Sequence, residues 1–146
     1  MKYSKATNYA LHTIMFMIEH SQRNENLGVQ KLAEHFQVSP TYLSKILTQL
    51  VKAGLITSST GVKGGYNLSK NAEEISFMDV INATEGNSAL FNCEFHDNRC
   101  LINQVMVEAE NRMVTYLEEK KLIEIVEEAK KQKHNNNCKK EDNNES

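Results

Sequence analysis

Residues 39–51 read SPTYLSKILTQLV, and they predict a helix with two chemically different faces. Ser39 is a favourable N-cap residue, and Pro40, the only proline of the chain, suits the first helical position because its missing N–H costs nothing there. The apolar face consists of Leu43, Ile46, Leu47 and Leu50. The opposite face bears polar or basic side chains and no carboxylate: Thr41, Tyr42, Ser44, Lys45, Thr48, Gln49 and Lys52. A helix that lies in a DNA major groove needs such a face, because phosphates repel carboxylates and base edges accept short polar donors.

The segments on either side of this helix extend the pattern. Upstream, apolar residues at helical spacing over residues 29–36 predict a shorter helix, and residues 37–38 remain for a tight turn. Two short helices joined in this way are typical of a helix-turn-helix. Downstream, residues 55–58 and 66–68 have strand composition and flank the glycine-rich segment 61–65. We therefore predict a β-hairpin wing, with Lys63 at its tip placed to contact phosphate or the minor groove.

These motifs together resemble the Rrf2 family of bacterial transcriptional regulators. The matching segments are YSKATNYAL (3–11), LA (32–33), SPTYL (39–43), LVKAGL (50–55) and GVKGGY (61–66). The family includes the iron–sulfur regulator IscR, the nitric oxide sensor NsrR and the cysteine-metabolism repressor CymR. The resemblance runs from Met1 to about Lys131. It implies a mainly α fold: a winged helix-turn-helix domain with a small β-hairpin wing, plus a long C-terminal dimerisation helix.

The motifs also predict which residues contact DNA. The first group lies on the helix that begins at Ser39 and consists of Ser39, Thr41, Tyr42, Ser44, Lys45 and Thr48. The second group lies on the wing and consists of Thr60, Lys63, Gly64, Gly65 and Tyr66.

Charge is divided unevenly along the chain. Residues 1–70 contain eight Lys or Arg and three Glu, a net charge of +5, whereas the remainder contains nine bases and sixteen acids, a net charge of −7. A basic half joined to an acidic half is typical of a DNA-facing part joined to a part that faces protein or solvent. The sequence has no run of apolar residues long enough to span a membrane and no recognisable secretion signal, and its three cysteines are an odd number. We therefore expect a protein of the reducing cytoplasm. We expect no enzyme, because no paired carboxylates, Ser-His-Asp arrangement or phosphate loop is recognisable.

The C-terminal half predicts a dimerisation unit. Ser76 caps a helix that ends near Gly86, residues 87–99 show no period, and a long helix runs from about Cys100 to Lys120. Its apolar stripe consists of Leu101, Ile102, Val105, Met106, Ala109, Met113, Tyr116 and Leu117. A small domain cannot bury so long a stripe, so we expect it to pair with its twin in a homodimer.

We divide the chain into four parts on this basis. These are a winged helix-turn-helix domain (1–86), a sensor loop (87–99), dimerisation helices (100–132) that include a short helix around residues 122–126, and a disordered tail (133–146).

The resemblance implies an iron–sulfur cluster in some family members, held by three cysteines of the sensor loop and a fourth ligand. Cys93 and Cys100 match the first two positions, but the third falls on Val105 or Met106. The acidic residue that can complete the cluster in nitric oxide sensors is replaced by Asn8. Two family ligands are therefore missing, and we expect no cofactor, although a cluster stays open as an alternative.

Three further interpretations of the cysteines remain. In one of them a zinc ion binds Cys93, His96, Cys100 and one more ligand, whereas an iron–sulfur cluster would have to recruit His96 or Cys138. We favour a thiol redox switch, because Cys100 lies beside Arg99 at the start of the long helix, where the helix dipole and the guanidinium stabilise a thiolate. If both cysteines are inert, a partner protein or a small molecule controls the regulator.

The sequence thus predicts a dimeric regulator, expected to be a repressor, that binds an imperfect palindrome in double-stranded DNA and responds to oxidation at Cys93 and Cys100. One alternative is a cluster-bearing or partner-controlled regulator of the same family. The other is a protein-interaction module whose acidic half docks a metabolic enzyme. DNA binding that weakens steeply with salt would favour a regulator.

Overall fold

The computed structural model describes residues 2–21, 27–95 and 99–142. The helices are α1 (Lys5–Ser21), α2 (Val29–Phe36), α3 (Pro40–Lys52), α4 (Phe77–Glu85), α5 (Leu101–Glu119) and α6 (Leu122–Asp142), and a 3-10 turn lies at Ala72–Glu74. The strands β1 (Ile56–Ser59) and β2 (Gly65–Leu68) form one antiparallel hairpin. This arrangement confirms the predicted mainly α, winged helix-turn-helix architecture. Among the described residues no helix is both long and apolar enough to cross a membrane.

The turn between α2 and α3 is fixed by backbone geometry. Gln37 adopts a left-handed conformation with φ of 55°, and the Val38 N–H donates to the Ala33 carbonyl at 3.0 Å. Helix α3 then begins as predicted, since the Ser39 hydroxyl accepts a hydrogen bond of 3.1 Å from the Tyr42 backbone N–H. It ends where Gly54 takes a positive φ of 76°, a conformation that glycine adopts without strain.

The wing is attached to the rest of the domain through the segment that precedes α2. The Tyr66 N–H donates to the Leu27 carbonyl at 2.8 Å, which adds an isolated antiparallel bridge to the hairpin. Gly65, with φ of 153°, lies so close that a Cβ atom there would come within 2.9 Å of the Leu27 carbonyl oxygen. The glycine therefore permits the close approach that orients the wing.

Helix α1 lies at the centre of the core and packs against α3, α4 and α6. The core side chains are apolar and come from every helix except α5. They are Ala10, Ile14, Met17, Ile18, Leu27, Leu32, Ala33, Leu43, Ile46, Leu47, Leu50, Leu55, Ile56, Ile75, Val80, Leu122 and Val126. The apolar face predicted for α3 is thus fully buried.

Of the two C-terminal helices, α5 begins where we predicted it, whereas α6 is longer than we predicted. Helix α5 begins after Cys100 as expected, packs against α4 and has no buried residue. Helix α6 continues to Asp142, whereas we predicted a short helix and a disordered tail from Lys133. Beyond Val126 most of its described side chains are exposed, and the segment contains no Gly or Pro to end it. The predicted tail residues 143–146 lie outside the described part of the chain.

Candidate nucleic-acid interface and sensor region

The polar face of α3 is presented away from the core. Thr41, Lys45 and Thr48 are exposed, and Ser44 is half-buried. The Thr48 hydroxyl donates to the Ser44 carbonyl at 2.8 Å, so its oxygen remains as an acceptor. Between Thr41 and Thr48 the face therefore presents hydroxyl groups and the ammonium group of Lys45, and Lys52 adds a second exposed ammonium group at the end of the helix.

Tyr42 has a packing role that the sequence did not reveal. Its half-buried ring makes an edge-to-face contact with Tyr9 of α1, with ring centroids 5.8 Å apart. Tyr9 in turn contacts Phe36 of α2 at 6.3 Å. These aromatic contacts hold α3 against the other two helices. The only sequence signal was that Tyr9 and Tyr42 are large aromatic residues at the edges of apolar stripes.

The tip of the wing is highly exposed. Thr60, Val62 and Lys63 all lie on its surface, and the tip is closed by a hydrogen bond of 2.9 Å from the Gly64 N–H to the Gly61 carbonyl. A Cβ atom at Gly64 would lie 2.5 Å from the Ser59 carbonyl oxygen. Gly64 therefore determines the shape of the tip.

The span that contains α3 and the wing is rich in lysine and contains no carboxylate of its own. From Ser39 to Asn71 the chain contains no Asp or Glu, while Lys45, Lys52, Lys63 and Lys70 all lie in this span. Lys70 binds the Asp79 carboxylate at 3.1 Å, so its charge is compensated. A span that contains lysines and no carboxylate attracts phosphate.

Asp79 itself organises the start of α4. The Ser76 hydroxyl accepts from the Asp79 N–H, and the Asp79 carboxylate accepts from the Ser76 N–H, both at 3.0 Å. Burial alone would raise the pKa of Asp79. The Ser76 backbone N–H and the Lys70 ammonium outweigh that effect and hold the pKa below its ordinary value.

The beginning of α1 is tied to the end of α4 by a network that the sequence did not predict. The buried Thr7 hydroxyl donates to Glu85 and also bonds the Thr84 hydroxyl, each at 2.6 Å. The Ser4 backbone N–H donates to the same Glu85 carboxylate at 2.7 Å. The Thr7 hydrogen bond, assisted by Ser4, lowers the pKa of Glu85.

Two cysteines lie in the segment between α4 and α5. Cys93 and Cys100 are both half-buried, and Cys100 is the N-cap of α5. His96 lies outside the described residues. Within the described ranges, no three His, Cys, Asp or Glu side chains are grouped closely enough to hold a metal ion.

A family model, a related sequence and two solved structures that match this chain are all transcriptional regulators. A family model described as "Rrf2: Iron-dependent Transcriptional regulator" matches residues 3–128. The chain is 30% identical over 139 residues to the putative HTH-type transcriptional regulator YffB of Lactococcus lactis, with 88% of each chain covered. Its fold is similar to the crystal structure of a putative transcriptional regulator from Listeria innocua, with a TM-score of 0.75, 22% identity and 87% of each chain covered. It is also similar to the oxidized form of Staphylococcus aureus CymR, with a TM-score of 0.70, 29% identity, and coverage of 87% of this chain and 97% of that one.

Proposed function

Since the chain belongs to the Rrf2 family of transcriptional regulators, we propose that it works as a homodimer that binds an imperfect palindrome and represses transcription there. Membership of the family makes the chain a DNA-binding regulator and not an enzyme. Beyond this, we propose five further properties: the dimer, the repressor role, the four-part division of the chain, the residues that contact DNA and the signal that controls binding.

The observation that carries the dimer is the apolar surface of α5. Ile102, Val105 and Tyr116 recur at helical spacing and are 68%, 65% and 60% exposed. A monomer rarely leaves such a stripe in water, and a second copy of the same stripe buries both. Two-fold symmetry then presents two α3 helices to successive major grooves about 34 Å apart, which requires a palindromic site.

We assign the DNA contacts to two surfaces with different roles. Thr41, Ser44, Lys45 and Thr48 on α3 read base edges or fix the register, assisted by Ser39 and Tyr42 at the start of the helix. On the wing, Lys63 neutralises a phosphate beside Thr60 and Tyr66, while Gly64 and Gly65 give the tip its shape. Polar side chains at base edges discriminate between sequences, whereas a single ammonium at a phosphate does not.

Lys63→Ala tests this division of roles. Binding sites are first selected from a random DNA pool, and affinity is then measured as a function of salt concentration. The variant should bind all selected sequences more weakly by a similar factor, and its salt slope should fall by about one. Lys133→Ala, which removes an exposed charge on α6, is the matched control and should leave both quantities unchanged. A changed sequence preference for Lys63→Ala would contradict the assignment, and binding that ignores salt would favour a protein-interaction module whose acidic half docks a partner.

The donor set does not suit the iron–sulfur cluster that the resemblance to IscR and NsrR implies. Cys93 and Cys100 supply two thiolates, whereas a cluster needs about four ligands dominated by thiolates. The remaining family positions are occupied by Val105 or Met106 and by Asn8, none of which can supply a thiolate. We therefore derive no function through a cluster.

We assign the signal to a disulfide between Cys93 and Cys100. A peroxide oxidises one thiolate to a sulfenic acid with loss of water or hydroxide, and the second thiol displaces hydroxide from it to form the S–S bond. The two sulfurs lose two electrons in total, and the peroxide takes them up. Cys100 lies where the loop joins the proposed dimer helix and Cys93 lies within that loop, so the bond would change the angle between the two DNA-binding units.

Cysteine variants test this switch. Cys100→Ser should bind operator DNA normally when reduced and should no longer release it on treatment with hydrogen peroxide. Cys138→Ser, which changes a cysteine of α6, should respond like the unaltered protein. If the Cys93→Ser, Cys100→Ser double variant still releases DNA on oxidation, the signal acts elsewhere and control by a partner protein takes the place of this proposal.

A further inference from the structure

A cavity of about 510 Å³ lies between the end of α4, the second half of α5 and the segment that follows α4. Lys2 and Tyr3, which precede α1, complete its wall. The Tyr3 hydroxyl donates to the Met113 sulfur at 3.7 Å, which connects the start of the chain to α5 across one side. A volume of this size is typical of sites for small organic molecules.

The inner surface of the cavity is mainly apolar. Met78 and Ile81 contribute from α4, and Met113 and Val114 contribute from α5. Methionine side chains are unbranched and polarizable, so they adapt to ligands of irregular shape. Such a lining favours an aromatic or branched aliphatic group.

The polar groups around this lining carry mostly negative charge. Among the described residues that line the cavity, three carry a carboxylate, namely Glu85, Glu110 and Glu118, and Lys2 carries an ammonium group. Glu85 already accepts hydrogen bonds from Thr7 and Ser4, and Glu110 accepts one of 3.2 Å from the Leu90 N–H. Within the described part of the chain, the Glu118 carboxylate has no hydrogen-bond or ion-pair partner. Glu118 is therefore the carboxylate available to a cationic ligand.

The cavity lies beside the surface that we assign to the dimer, and Met113 is the residue that the two share. Glu110, Val114 and Glu118 follow one another at four-residue spacing on α5, whereas Val105, Ala109 and Tyr116 form the neighbouring apolar stripe. A second copy paired along that stripe leaves the cavity, which is bounded by α4, on the adjacent face.

We propose that this cavity binds a small organic cation, with an apolar group between Met78 and Met113 and an ammonium at Glu118. The excess of carboxylates excludes organic anions of the same shape. Ligand binding in the cavity does not depend on DNA recognition. The ligand experiment can therefore fail while the proposed DNA-binding function holds, and the DNA-binding experiment can fail while the cavity still binds its ligand.

Methionine methyl NMR tests the proposal on the full-length reduced protein. The chain contains six methionines, and among those in the described ranges Met78 and Met113 line the cavity. Titration with tryptamine should shift these two signals in a saturable manner. Signals of Met17 in the core and Met106 on the exposed stripe should not move. Indole-3-acetate, which has the same ring and a negative charge, should shift neither cavity signal at the same concentrations.

Two variants locate the ammonium and the apolar group. Glu118→Gln should weaken tryptamine binding about three- to fivefold, the effect of one partly exposed ion pair. Glu119→Gln, an exposed neighbour outside the cavity, is the matched control and should bind normally. Ala89→Phe, at an exposed wall position, should fill the cavity and reduce binding by at least about tenfold.

Four results would overturn the proposal. These are an absence of shifts at Met78 and Met113, equal binding of the indole acid, equal effects of Glu118→Gln and Glu119→Gln, or a parallel shift of Met106. The last would place the probe on the exposed stripe of α5.

Discussion

Val105→Ala should weaken dimerisation by an amount that follows from its exposure. The substitution removes two methyl groups, each of which contributes about 0.8 kcal/mol when buried. Since Val105 is 65% exposed in the single chain, covering those methyl groups contributes about 1 kcal/mol per subunit. A two-fold interface contains the side chain twice, so the dimer should lose about 2 kcal/mol, or about 30-fold in Kd.

Val107 provides a matched control for this measurement. It is the same residue type on the same helix, it is 42% exposed, and it lies two positions away, on a different face. Sedimentation equilibrium of both alanine variants gives the two dissociation constants, and circular dichroism checks that each remains folded. Val107→Ala should dimerise like the unaltered chain. The reasoning is refuted if Val107→Ala weakens the dimer as much as Val105→Ala does, or if neither variant changes the dissociation constant.

Three further predictions concern the wing, the α4 cap and α3. Gly65→Ala should lower the free energy of unfolding by about 1–3 kcal/mol in urea titrations, because its Cβ would collide with the Leu27 carbonyl and the wing would have to move. Asp79→Asn should lower the free energy of unfolding at pH 7, and the difference from the unaltered protein should shrink in acid. The pKa of Asp79 is lower in the folded than in the unfolded protein. The stability that its carboxylate contributes is therefore complete above about pH 4 and is lost as the pH falls through the folded pKa. Tyr42→Phe should keep the melting temperature, because the edge contact with Tyr9 needs only the ring, whereas Tyr42→Ala should lower it.

Local patterns in the sequence were sufficient to predict the helix-turn-helix and the wing. Ser39 and Pro40 determine the start of α3 through the capping bond and a fixed φ, and Gly54 determines its end. These effects act within a few residues, so they can be recognised without knowledge of the tertiary structure. The same holds for the exposed stripe of α5, whose spacing alone indicates an amphipathic helix.

Features that join distant parts of the chain could not be predicted in this way. Thr7 and Glu85 are 78 residues apart, and neither residue type indicates the other. Leu27 and Tyr66 meet through backbone atoms, which carry no residue-specific signal. The cavity depends on how α4 and α5 pack, which periodicity does not determine. The extent of α6 was underestimated because the chain after Val126 lacks an apolar period, although it contains no helix-breaking residue.

The packing of α1 has a consequence for synthesis on the ribosome. Ile14 and its neighbours share one core with Leu122 and Val126, so α1 leaves the ribosomal exit tunnel well before α6, the helix that covers part of it. At about 5–20 residues per second, the interval between Ser21 and Val126 is about 5–20 s. During that time the nascent chain exposes the apolar side of α1, and a ribosome that stalls before α6 presents a chain whose core is incomplete. Such a chain is a substrate for chaperones and proteases before it can compete for DNA.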